Sequence, residues 1–144
     1  ISLPAALEMV NTSLMVKSSD ESFATLDICR LDLNSGECVI YKAGAAASYI
    51  KSADRLLRAS VSSAPAGTGG RVTVPAQKFR VAPGDMVVMA TDGAVLDEDW
   101  LSRELSRGDI RTPQELAEFL ARSARSADSG REDDISVITV AVGK

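Results

Sequence analysis

An α+β fold built on layered antiparallel sheets is what this sequence predicts, and three observations carry it. A hairpin over 23–33 and 37–43 is apolar on both faces of its first strand, so both faces are covered. Met86 to Ala90 is an apolar run too short for a helix but long enough for a buried strand, and it follows the turn Pro83-Gly84-Asp85. Helical spacing marks the start of the chain and the region after Asp92.

Leu3, Ala6, Leu7, Val10 and Leu14 recur at helical spacing, which predicts an amphipathic helix over 4–15 with Pro4 in its first turn. A polar loop, 17–22, leads into the hairpin, turned around Asn34-Ser35-Gly36. Strands are expected at 48–52 and 56–61, turned by Ala53-Asp54, with short strands at 72–74 and 78–81. The stretch 62–70 carries most of the loop signal, and its glycines lack the Lys-Ser or Lys-Thr ending of a phosphate-cradling loop. Beyond Gly93, Leu96, Trp100, Leu101 and Leu105 predict a helix. Asp97, Glu98 and Asp99 crowd its start, where the macrodipole favours negative charge. Thr112-Pro113-Gln114-Glu115 is a capping box opening a helix over 113–127, with Leu116, Phe119 and Leu120 as its apolar stripe. A polar loop over 126–131 then delivers the chain to a final strand, 135–142.

Composition narrows the function. With 144 residues, 45% hydrophobic and 25% charged, the chain reads as one globular domain, 1–144. The net charge of −4 argues against nucleic acid or an anionic membrane surface as partner, and no apolar run is long enough to span a bilayer. The absence of histidine excludes a Ser-His-Asp triad, a Cys-His pair and a His-rich zinc site. The two cysteines, Cys29 and Cys38, lie on the two arms of the hairpin. If Leu33 pairs with Glu37 they face opposite sides of the sheet, so a disulfide is not expected and the chain reads as cytoplasmic.

The acidic elements carry the chemistry. Asp92-Gly93 stands where the strand 86–90 leaves the sheet, and Glu132-Asp133-Asp134 stands where the last strand enters it. If these strands are antiparallel neighbours, Asp92 and Asp133 converge at one end of the sheet. Oxygen-only ligands of that kind suit Mg²⁺ or Mn²⁺. The same aspartates also read as ordinary turn residues that bond their own backbone.

The order and spacing of Phe23-Ala24-Thr25-Leu26-Asp27, Lys42-Ala43-Gly44-Ala45, Ser48-Tyr49-Ile50, Pro65-Ala66-Gly67, Gly84-Asp85 to Thr91-Asp92-Gly93, and Asp133-Asp134-Ile135-Ser136-Val137 resembles the phosphatase domain of the stage II sporulation protein E family. That family is a branch of the type 2C metal-dependent protein serine/threonine phosphatases. The resemblance implies a four-layer αββα sandwich of two antiparallel sheets flanked by helices. It also implies removal of phosphate from phosphoserine or phosphothreonine by water held at a two-metal Mn²⁺ or Mg²⁺ centre. Asp92 and Asp133 match family metal ligands, and Gly93 matches the turn that lets Asp92 reach the metal. Asp134 stands where relatives often carry Asn and reads as a supporting or capping residue. A phosphoserine anti-sigma-factor antagonist as substrate, and a homodimer, are further implications of the likeness.

One departure stands against the match. The family's first acidic motif, whose Asp bridges the two metals, belongs upstream of the first helix, and the chain begins within that helix. Asp20, Glu21 and Asp27 are not replacements, being predicted in a loop and in mid-strand. The expectation is therefore an N-terminally truncated phosphatase domain, inactive by itself. A partner-binding module with a degenerate metal site is the alternative.

Overall fold

The computed structural model describes residues 1–17, 23–53, 55–68, 74–94, 96–106, 112–127 and 134–143. Asp20, Glu21, Asp54, most of the strand expected at 72–74, and Asp133 lie outside the described residues. In chain order the elements are α1 (Leu3–Lys17), β1 (Leu26–Leu31), β2 (Glu37–Ala43), β3 (Ser48–Lys51), β4 (Leu56–Ala59), β5 (Ala76–Arg80), β6 (Met86–Ala90), α2 (Glu98–Ser106), α3 (Pro113–Ala127) and β7 (Val137–Ala141). They form two antiparallel sheets with helices, the α+β class that the sequence predicts. The chain divides into two compact units, Ile1–Ala45 with Ser60–Arg80, and Ala46–Ala59 with Val81–Lys144.

The first unit holds α1 and the sheet β1-β2-β5. Its central strand β2 buries Cys38, Val39, Ile40 and Ala43. Lys42 is also buried, and its ammonium meets the Asp27 carboxylate at 2.8 Å directly across the β1–β2 register. A charge can be buried there because its counter-charge, itself mostly shielded from solvent, lies beside it. On α1, Leu7 is buried as the helical spacing predicts, but Val10 is exposed and its neighbour Asn11 is buried instead. Asn11 is held by a specific bond, its Oδ1 accepting the Gly67 N–H at 2.7 Å. Periodicity alone cannot anticipate a polar anchor of this kind.

The hairpin differs from its prediction by one residue, and the difference reverses a conclusion. Leu31 pairs with Cys38 and Cys29 with Ile40. The connection is a four-residue loop, Leu33 to Gly36, in place of three. Asp32 causes this. Its Oδ1 accepts the N–H groups of Asn34 (2.9 Å) and Ser35 (3.0 Å), and its carbonyl accepts that of Gly36, which sits at φ 69°. The Ser35 and Asn34 N–H groups hold the Asp32 carboxyl below its ordinary value. That contribution to the turn is complete above the usual carboxylate range and is lost as the pH falls below it. A one-residue slip moves every side chain to the other face. Cys29 and Cys38 therefore share a face, with sulfurs 3.6 Å apart as free thiols.

The second unit orders its strands β4-β3-β6-β7. Tyr49 and Val88, paired across β3 and β6, cluster with Leu101 of α2 and Leu116 and Leu120 of α3, all buried. Trp100 and Phe119 stack at the margin, ring centroids 5.8 Å apart. Both helices start as predicted. Asp97 Oδ1 accepts the Trp100 N–H at 2.7 Å. Thr112 and Glu115 exchange reciprocal bonds of 3.0 and 3.2 Å, the capping box. Leu116 and Leu120 are fully buried, and Phe119 is half-buried against Trp100.

Three substitutions test this packing. Gly44 sits at φ 64°, and a Cβ there would meet the Cα and N of Pro65 at 2.9 Å, so the backbone itself must give way. Gly44→Ala should cost roughly 3 kcal/mol or more. Gly84→Ala, at φ 97° with open space around it, should cost only about 1–2 kcal/mol. Urea unfolding of the two variants measures the difference. Lys42→Met should lower stability by about 2–4 kcal/mol, because the partly buried Asp27 is left without its cation. A thermal midpoint equal to that of the unmodified protein would contradict that account of the pair.

Candidate metal centre

Asp92 owes its position to the strand it follows. β6 lies between β3 and β7, and Val87 and Val88 are fully buried within it. Its pairing with β7 runs from Met86 opposite Ala141 to Ala90 opposite Val137, confirming the two apolar runs as antiparallel neighbours. The pairing is closed at both ends. At the start, Gly84 N–H donates to Val142 O (2.8 Å) and Val142 N–H to Asp85 O (2.9 Å). Asp85 Oδ2 also accepts the Ala82 N–H at 2.9 Å, fixing the turn. At the exit, Thr91 N–H donates to Ser136 O at 3.0 Å. The Thr91 hydroxyl accepts the Ser136 N–H at 2.9 Å and donates to Asp134 O at 3.2 Å.

Thr91 thus ties the Asp92 turn to the strand bearing Asp134. Directly after it the chain turns, with Ala94 N–H donating to Thr91 O at 2.9 Å. Gly93 and Ala94 are buried while Asp92 is exposed. Asp134 is also exposed, and its backbone carbonyl is what Thr91 holds. The structure therefore brings Asp92 and the Asp134 segment to one end of the sheet, and Asp133 lies outside the described residues.

Four of the other described aspartates contrast with Asp92. Asp27 meets Lys42, Asp32 caps its own loop, Asp85 fixes the turn before β6, and Asp97 caps α2. Each spends its carboxylate on the fold. Among the described residues, Asp92 makes no such bond, a state it shares with the exposed Asp99 of α2, but Asp92 stands at the exit of a central strand. An exposed carboxylate at the exit of a buried strand fits a hard divalent cation such as Mg²⁺ or Mn²⁺. It fits part of a shell only: among the described residues no three acidic, His or Cys side chains group closely enough to hold a metal.

Thr91 is the residue that the sequence reading passed over. Its one signal was position, a β-branched hydroxyl residue directly before Asp-Gly at a strand end. Thr91→Val keeps the shape but removes both hydroxyl bonds. Amide exchange at Ser136 should accelerate by about tenfold, while global stability falls by only about 1 kcal/mol because the site is exposed. Unchanged Ser136 exchange would show that the hydroxyl is not the clasp.

Similarity to known proteins accords with this arrangement. The family described as Stage II sporulation protein E (SpoIIE) matches residues 1–143. The Stage II sporulation protein E of Bacillus subtilis (strain 168) is 29% identical over 145 residues, covering 95% of this chain and 18% of that protein. The chain therefore spans less than a fifth of the length of this relative. Two solved structures from the same organism are similar. The PP2C phosphatase domain of SpoIIE with a fragment of its regulatory domain has a TM-score of 0.81 and 29% identity, over 98% of this chain and 45% of that one. The SpoIIE phosphatase domain presoaked with Mn has a TM-score of 0.72 and 27% identity, over 100% of this chain and 67% of that one. With a family match running from Ile1 to the penultimate residue, the chain belongs to the stage II sporulation protein E family.

Proposed function

We propose that the protein carrying this chain is a metal-dependent protein serine/threonine phosphatase of the type 2C kind. Its substrate on this reading is a phosphoserine or phosphothreonine of a partner protein, of the anti-sigma-factor-antagonist type. A cytoplasmic location and a homodimer complete the reading, on family likeness. Among the described residues no helix is long and apolar enough to cross a membrane.

The observation that supports it best is the exposed Asp92 carboxylate, uncommitted among the described residues at the exit of a buried strand. Asp92 and Asp133 would hold Mn²⁺ or Mg²⁺, Gly93 allows the turn between strand and site, and Asp134 supports it. When bound, the metal supplies Lewis-acid stabilisation of charge on the transferring phosphoryl group. The chain's own part is placement. The buried β6 backbone fixes where Asp92 begins, and the Thr91–Ser136 clasp fixes its distance from the β7 segment. Exposure of Asp92 leaves the site open to a phosphorylated side chain from another protein. The sparse carboxylate count among the described residues favours one other reading, a partner-binding module with a degenerate site.

Phosphate release from a phosphoserine peptide, with and without Mn²⁺, separates the two. In the longer protein, Asp92→Asn or Asp133→Asn should lower Mn²⁺-dependent turnover by about 100-fold or more without unfolding the domain. Residues 1–144 alone should bind Mn²⁺ weakly and release no phosphate, since two-metal catalysis needs a shared ligand. Full activity of the Asp92→Asn protein would remove Asp92 from the site, and a longer protein inert with Mn²⁺ would favour the binding module.

A further inference from the structure

Away from the carboxylates, the first unit carries a second constellation with chemistry of its own. Cys29 and Cys38 are diagonal neighbours on one face of the β1–β2 pair, their sulfurs 3.6 Å apart, both free. Their environments differ. Cys29 is half-buried and lies on β1, the edge strand of its sheet, where a small solute can reach it. Cys38 is fully buried on the central strand β2. We propose that this pair is a peroxide-reactive dithiol that closes reversibly to a Cys29–Cys38 disulfide, with Cys29 as the attacking thiol and Cys38 as the resolving one.

The asymmetry sets the order of events. A hydrogen bond from Cys38 holds the Cys29 thiol below its ordinary value, against opposing effects of burial and of the Asp27 carboxylate two residues away. The same bond, with burial, pushes the Cys38 thiol well up, so Cys38 keeps its proton. Thiolate character and access together decide which sulfur reacts first. The Cys29 thiolate attacks one oxygen of hydrogen peroxide. An S–O bond forms, the O–O bond breaks, and hydroxide departs, leaving a sulfenic acid. The Cys38 sulfur then attacks Cys29 Sγ. The S–S bond forms, the S–O bond breaks, and the departing hydroxide takes the Cys38 proton as water. Two thiols and one peroxide give one disulfide and two waters.

Closing the bond requires the sulfurs to approach from 3.6 Å to about 2.0 Å. A diagonal pair on adjacent strands spans more than the usual disulfide geometry favours, so the bond should be readily reduced. That combination makes a switchable cross-link, not a permanent structural one. It would staple the edge strand β1 to β2 beside the buried Asp27–Lys42 pair.

The sequence offers a direct readout. Trypsin cuts after Lys17, Arg30 and Lys42, so Cys29 and Cys38 fall in separate peptides, 18–30 and 31–42. The folded protein is treated with hydrogen peroxide, the peroxide is removed, and the protein is unfolded in the presence of an alkylating agent and digested without reductant. The expected result is the two peptides joined, lighter by two hydrogens than their sum, and separated again by dithiothreitol. Cys29→Ser should abolish the link. Cys38→Ala should stop the reaction at a Cys29 sulfenic acid that dimedone traps. Both peptides recovered alkylated, or Cys29 carried to sulfinic acid with Cys38 intact, would overturn the proposal. The mapping of the unmodified protein decides this even if Cys38→Ala does not fold.

Discussion

The pairing of β6 with β7 is the constraint on which the second unit depends. It is fastened by Gly84 and Val142 at one end and by Thr91 and Ser136 at the other, so a slip in register would break both fastenings at once. It would also turn Val137 of β7 away from the Tyr49, Val88, Leu116 and Leu120 cluster, because side chains alternate along a strand. Core and candidate site are therefore specified by the same set of backbone bonds. Asp92 is placed by strand geometry that the hydrophobic core maintains, and it needs no bond of its own to stay there.

The motifs behind the family resemblance divide by physical role. Gly44 and Pro65 lie far apart in sequence yet meet in the first unit, where any Cβ on Gly44 would strike the Pro65 backbone. Ser63 joins the same junction, donating its hydroxyl to Lys42 O at 3.1 Å and accepting the Gly44 N–H at 3.2 Å. Ala24 and Ala66 exchange backbone bonds of 2.8 and 2.9 Å, so the Phe23–Asp27 stretch pairs with the same Pro65-Ala66-Gly67 stretch. These residues bond and pack against one another. The resemblance in this half of the chain records a packing solution, whereas Thr91-Asp92-Gly93 records a surface.

Much of this was legible in the sequence because the signals were local. Capping residues bond within one turn, so Thr112 and Glu115 announced the start of α3 directly. An apolar run bounded by turn residues announced β2 and β6 at their observed limits. What escaped reading depended on partners distant in sequence or on a single residue of loop length. Asn11 is buried only because Gly67 lies in reach, and Asp27 has a role only because Lys42 stands opposite. The hairpin failed differently. Asn34-Ser35-Gly36 is a sound turn signal, but Asp32 bonds both Asn34 and Ser35 and lengthens the loop by one. That one residue decides whether the two thiols are strangers or neighbours.

At the site itself, Asp92 was legible from its position between an apolar run and a glycine, but the reason to prefer a metal over a turn was not. Turn aspartates and ligand aspartates share the same sequence habits, since both favour strand ends and glycine neighbours. They differ in what their oxygens do once the chain is folded. Asp32, Asp85 and Asp97 satisfy backbone N–H groups, and Asp27 neutralises a buried lysine. A carboxylate spent in this way would have to break its bond to accept a cation, whereas Asp92 has no such bond to break among the described residues. The distinction between structural and functional aspartate is thus one of residual bonding capacity, a property of the folded chain that no local sequence pattern encodes.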